Sequence, residues 1–106
     1  MIINIEDFKK VEIRIGKILT AEPVEGSEKL VKLSVDFVEE SPRQVISGIA
    51  KYFPDPQQLI GKKCAFVTNL EQKEIMGLVS QAMIVAASSE STISLYEVSD
   101  SISQGT

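Results

Sequence analysis

The sequence predicts an all-β domain with short helices, built as a small closed barrel. Three observations carry this. Apolar and polar side chains alternate in short runs, of which Val31-Lys32-Leu33-Ser34-Val35-Asp36-Phe37 is the clearest. Turn signals such as Glu39-Glu40-Ser41-Pro42 and the polar stretch 88–92 separate five or six such runs. One short helix falls between the third and fourth runs, where it can plug the open end of a barrel. On pattern alone, another small barrel or a sandwich fits the same strands.

Taken in order, residues 6–10 (EDFKK) form one helical turn with acids at its start, where the helix dipole favours them. Val11, Ile13 and Ile15 then alternate with Glu12 and Arg14 as a half-buried strand. The alternation breaks at Gly16-Lys17, and Ile18 resumes it one position out of phase. A glycine at such a break predicts a β-bulge that bends a long first strand around a barrel corner. The second strand is 31–37 and the third 43–49, with Gly48 allowing close backbone approach. Residues 50–53 form a helical turn. Asp55 caps a short helix that starts at Pro56 and stops at Gly61. The fourth strand is 63–70, the fifth 83–87, and Ile93, Leu95 and Val98 mark a short last one. Residues 71–82 read as a polar turn carrying a lysine, and the serine-rich tail 99–106 as frayed. There is no repeat and no linker, so 1–106 is one domain with its core at about 7–98.

Composition narrows the function. The chain has 106 residues, 43% of them hydrophobic and 25% charged, as in an ordinary globular domain. No apolar run approaches the roughly 20 residues that span a bilayer, so no membrane partner is expected. No signal-like stretch opens the chain, and a cytoplasmic location is expected. Histidine is absent, which removes the commonest general base and the commonest zinc ligand together. No catalytic residue, metal or cofactor is expected. The single cysteine, Cys64, sits in an apolar run and reads as a small buried residue. The net charge of −4 is unusual for a nucleic-acid binder. Residues 41–73, however, carry Arg43, Lys51, Lys62, Lys63 and Lys73 against Asp55 and Glu71, a local charge of +3. A locally basic face on an acidic protein is one reading of this, and scattered solvated charge fits the composition equally well.

Three blocks carry a resemblance: DFKKVEIRIGKI near the start, RQVISGIAKYF in the middle, and NLEQKEIMGLVSQAMIVAA from Asn69 to Ala87. With EGSEKL at 25–30 and Leu59, Gly61 and Lys62 between them, they resemble the tRNA-binding OB-fold domain. That domain occurs as a free-standing tRNA-binding protein, as the C-terminal domain or β subunit of methionyl-tRNA synthetase, and in endothelial monocyte-activating polypeptide. The resemblance runs from about residue 7 to about 98. It implies a five-stranded Greek-key OB barrel with peripheral strands, acting as a non-catalytic module. That module would bind the outer corner of tRNA by shape, largely independent of sequence, and assist methionyl-tRNA synthetase in cis or in trans.

The resemblance also assigns roles. Asn69 and Ser80 are short hydrogen-bonding groups suited to base edges or ribose hydroxyls; turn-capping is the plainer reading of both. Lys73 is the expected phosphate contact. Met83 and Met76 belong to the matched set, and the soft thioether of Met83 suits packing on a splayed base, unless it is core. Lys29 and Arg43 are flanking phosphate candidates. A homodimer is implied, with the synthetase catalytic chain as a further partner. Glu74, Gln72 and Val38 depart from residues common in the family (basic, proline and glycine respectively). The chain stops at Gly105-Thr106 where relatives usually continue, and the domain following directly on Met1 suggests a free-standing chain. A secretion-related chaperone group shares this barrel and the dimer; it binds unfolded polypeptide and would need an apolar groove where the RNA site lies.

Overall fold

The computed structural model describes all residues, Met1–Thr106. The expected all-β barrel is present. Helix α1 (Ile5–Lys9) is followed by strands β1 (Ile13–Pro23), β2 (Val31–Asp36) and β3 (Arg43–Ser47). Two 3₁₀ turns, Ala50–Tyr52 and Pro56–Leu59, lead to β4 (Lys63–Val67). Then come β5 (Lys73–Ile75), β6 (Leu78–Ser80), β7 (Met83–Ile84), β8 (Ala86–Ser88) and β9 (Ile93–Leu95). Five strands form one antiparallel sheet in the order β3-β2-β1-β4-β7. It is nearly closed, as in an OB-like barrel, with β5–β6 and β8–β9 as peripheral hairpins.

The period-two pattern explains the core. Val31, Leu33 and Val35 all point inward from β2 and are essentially buried, beside Ile18, Val45, Leu59, Cys64 and Phe66. The Phe37 and Phe66 rings meet edge to face with centroids 5.3 Å apart. Leu59 is the plug: Asp55 accepts from the Gln57 N–H at 3.1 Å and starts the turn at Pro56, which presents Leu59 to the barrel end. Burial also raises the Cys64 thiol pKa to about 11, so this sulfur is a core atom and not a nucleophile.

Four expectations change. The bulge lies at Leu19, between the pairs Ile18↔Val35 and Thr20↔Ser34, not at Gly16. Gly16 is glycine for space: a Cβ there would sit 2.5 Å from Val35 Cγ1 and 2.6 Å from the Phe37 ring. Val11 and Ile13 face solvent, and the inward positions of β1 are Gly16, Ile18 and Ala21. The tail is docked rather than frayed. β2 ends opposite Lys17, which leaves the β1 backbone free at Ile15, and the tail takes it: Ile15 N–H donates to Thr106 O at 2.9 Å, and Gly105 N–H to Ile15 O at 2.6 Å. Finally, 71–82 is not a plain turn. It contains the β5–β6 hairpin, whose two-residue loop places Met76 at φ 51° and Gly77 at φ 80°. Two consecutive positive φ values are what a tight type I′ loop requires.

The barrel closes through side chains. Between β3 and the segment after β6, Gln81 N–H donates to Gln44 O at 2.8 Å. The Gln44 N–H in turn donates to Gln81 Oε1 at 2.8 Å, and the Ile46 N–H to Ser80 Oγ at 3.0 Å. Ser80 Oγ also donates to Ala82 O at 3.0 Å. These side-chain oxygens stand where a strand ladder would offer carbonyls, so the backbone of β3 stays satisfied at an open seam.

Candidate nucleic-acid interface

The seam makes the site. Val45 and Ile46 are consecutive on β3 and both buried, which a strand with one face in water does not produce. Val45 belongs to the core; Ile46 faces outward and is covered by the β5–β6 hairpin. Between hairpin, β3 and β7 lies a groove of about 260 Å³. Ile46, Ala82 and Ile84 form an apolar floor, and Leu70, Ile75, Lys73 and Met83 line it with them. Met83 and Leu70 are both 51% exposed, so each offers an apolar flank to a ligand. Lys73 is exposed and has no carboxylate within 4.0 Å. The groove thus sets an apolar floor beside an exposed lysine, with Glu71 also on its wall.

Of the seven residues singled out from sequence, Lys73, Ser80 and Met83 line this groove. Ser80 does so from the seam, 8% exposed and with its hydroxyl in use on both sides. Lys29 lies in an adjoining trough that shares Ser47 and Ile84 with the groove. Met76 stands at the hairpin tip, 59% exposed, against the loop that follows β1. Asn69 anchors the base of the hairpin segment: it accepts from the Glu12 N–H at 2.8 Å and donates to Lys10 O, tying β4 to the α1–β1 junction. Its amide is occupied by long-range partners rather than by the local turn that capping would involve.

The Arg43 side chain is 22% exposed, and its guanidinium is engaged by partners within the fold. Its guanidinium donates to both Glu39 carboxylate oxygens at 2.8 Å, to Thr68 O at 2.7 Å and to Gln81 O at 3.2 Å, and lies over the Phe37 ring. The Arg43 hydrogen bonds and charge, with Arg14 adding to them, hold the Glu39 carboxyl below its ordinary range, although burial opposes this. Arg43 thus braces the seam behind Ser80 and Gln81. The basic stretch 41–73 likewise does not make one face. Lys62 pairs with Glu97 at 3.1 Å, and Lys63 donates to Asp100 O and Ile102 O, holding the tail. Lys51 and Lys73 are its cations without such partners.

Sequence reading missed Gln44 and Gln81, which close the barrel, and Ile46 and Ile84, which floor the groove. Adjacent apolar residues in a short strand (Val45-Ile46) were the available signal for a covered outer face.

Residues 13–106 match the model of the family described as "Putative tRNA binding domain". The chain belongs to the tRNA-binding domain family. Among curated relatives, it is 47% identical over 103 residues to a methionine–tRNA ligase of Caldanaerobacter subterraneus subsp. tengcongensis, covering 97% of this chain and 16% of that one. It is 40% identical over 104 residues to a methionine–tRNA ligase of Lactococcus lactis, again 97% and 16%. The chain therefore spans about a sixth of the length of these ligases. Among solved structures it resembles a methionyl-tRNA-synthetase-related protein from Pyrococcus horikoshii, with a TM-score of 0.90 and 34% identity over 99% of this chain and 95% of that one. It also resembles the chaperone CsaA of Bacillus anthracis, with a TM-score of 0.87 and 26% identity over 100% and 97%. The tRNA-binding domain is a binding module, not the catalytic part of a ligase. No helix is long and apolar enough to cross a membrane.

Proposed function

We propose that this domain binds tRNA through the groove between β3, β7 and the β5–β6 hairpin, reading the folded outer corner by shape. The observation that carries this is an apolar floor beside Lys73, an exposed cation with no carboxylate within 4.0 Å. Lys73 takes a phosphate, Met83 and Leu70 flank a splayed base, and Met76 and Lys29 contact the RNA to either side. Asn69, Ser80 and Arg43 hold the hairpin and seam in place. The groove has no row of free donors and acceptors to tell bases apart, which supports recognition indifferent to tRNA identity. The domain acts in the cytoplasm and assists methionyl-tRNA synthetase, in cis or in trans. A weak, nonspecific site raises the effective tRNA concentration for a linked catalytic unit without new contacts.

The domain works as a homodimer. Ile2, Ile3, Ile5, Phe8, Val11 and Ile13 are all exposed, and α1 buries no residue of its own. A cluster of large apolar side chains at one end of a small domain supports a second copy as its cover. Phe8→Glu is expected to halve the mass measured by sedimentation at micromolar concentration. An unchanged mass would remove α1 from the interface.

The apolar groove floor and the likeness to CsaA favour one second reading, a chaperone that takes unfolded polypeptide at the same place. Labelled tRNA titrated with excess reduced, unfolded polypeptide separates the two. The tRNA reading expects binding that survives the polypeptide and weakens with salt. Polypeptide binding with no tRNA binding at low salt would establish the chaperone reading instead.

A further inference from the structure

We propose that the RNA path continues past the Lys73–Met83 groove, across the end of β3, into a second subsite for the ribose–phosphate backbone built by Lys29, Gly48 and Lys51. This rests on the tRNA-binding reading above.

The adjoining trough, of about 400 Å³, is lined by Lys29, Ser47, Gly48, Lys51, Tyr52 and Ile84 among others. Ser47 and Ile84 also line the first groove, so the two cavities adjoin along the seam. At its far end the Ala50 N–H donates to Lys29 O at 3.0 Å, which fixes the loop after β1 against the turn that carries Lys51. That bond brings together two cations twenty-two positions apart in sequence, and neither has a carboxylate within 4.0 Å. The Lys51 ammonium lies 4.9 Å from the centre of the Tyr52 ring, and Tyr52 is itself held by its hydroxyl on Ser89 O at 3.0 Å. At an exposed lysine this contact is weak, and it biases where the ammonium sits. In a protein of net charge −4, two lysines without a carboxylate within 4.0 Å, on a trough adjoining the groove, fit a polyanion.

Gly48 supplies the independent observation. Its φ is not in the left-handed region, and a Cβ built there meets nothing within 4 Å. Neither backbone conformation nor packing requires glycine, contrary to the close approach expected from sequence. A side chain at 48 would project into the trough. An open trough is what the passage of a backbone requires.

The test uses the whole chain and mixed elongator tRNA, with the slope of log affinity against log salt as the readout. Lys29→Ala/Lys51→Ala is expected to lower affinity about tenfold at about 0.1 M salt and to flatten the slope by about 1.5, the release expected for two phosphate contacts. Gly48→Glu should weaken binding at least as much. Both variants should melt as wild type does. Unchanged slope and affinity in the lysine pair, with binding still lost on Lys73→Ala, would overturn the subsite and leave the groove standing. Absence of tRNA binding by the wild type would instead overturn the reading on which it rests. Weakened capture of unfolded polypeptide, with tRNA binding intact, would also refute an RNA path here.

Discussion

Gly16→Ala is expected to destabilise the domain by about 3 kcal/mol and to lower its melting temperature by roughly 12–20 °C. The added methyl would lie 2.5 Å from Val35 Cγ1 and 2.6 and 2.9 Å from two Phe37 ring atoms. Val35 and Phe37 have no exposed surface, and Phe37 is held against Phe66 and beneath Arg14 and Arg43. The clash therefore cannot be relieved by swinging a side chain into solvent. β1 would have to move, and β1 pairs with β2 on one edge and β4 on the other. Thermal denaturation followed by circular dichroism measures this. A loss below about 1 kcal/mol would mean that the barrel yields at β1 more easily than its packing implies. Gly48→Ala is the control, because its new Cβ meets open space.

Ser80→Ala should cost about 2 kcal/mol, equivalent to roughly 8–16 °C in melting temperature, and should weaken tRNA binding as a consequence. The hydroxyl is the partner of the Ile46 N–H and of Ala82 O at a position 8% exposed, so its removal leaves a donor and an acceptor buried without partners. Those two bonds also hold the hairpin over Ile46, the floor of the groove. If Ser80→Ala abolished tRNA binding with an unchanged melting temperature, Ser80 would be an RNA contact and not a closure of the seam.

Much of the barrel was legible because its causes are local. The alternation at 31–37 is visible residue by residue, and so are the Asp55-Pro56 helix start and the break at Gly61, whose φ is +90°. What stayed hidden depends on distant partners. Arg43 counted as a free cation until Glu39, Thr68 and Gln81 converged on it. Lys62 and Lys63 sat in a basic stretch, but strand geometry points them to Glu97 and to the tail. The β5–β6 hairpin escaped because its strands have three residues each and its loop has methionine where asparagine would announce a type I′ turn. Val38 takes a left-handed conformation at φ 62° without being glycine, steadied by its N–H on Asp36 Oδ1 at 2.7 Å. In the groove, Lys73 and Met83 came from the sequence, whereas the floor under them required the fold.

The most direct test is equilibrium binding of mixed elongator tRNA at low and near-physiological salt, with Lys73→Ala/Met83→Ala beside wild type. The wild-type domain should bind in the micromolar range and more weakly at higher salt. The double variant should retain the wild-type melting temperature, since both side chains are exposed, and lose at least tenfold in affinity. Equal binding by both proteins would place the RNA elsewhere on the barrel and contradict the site described above.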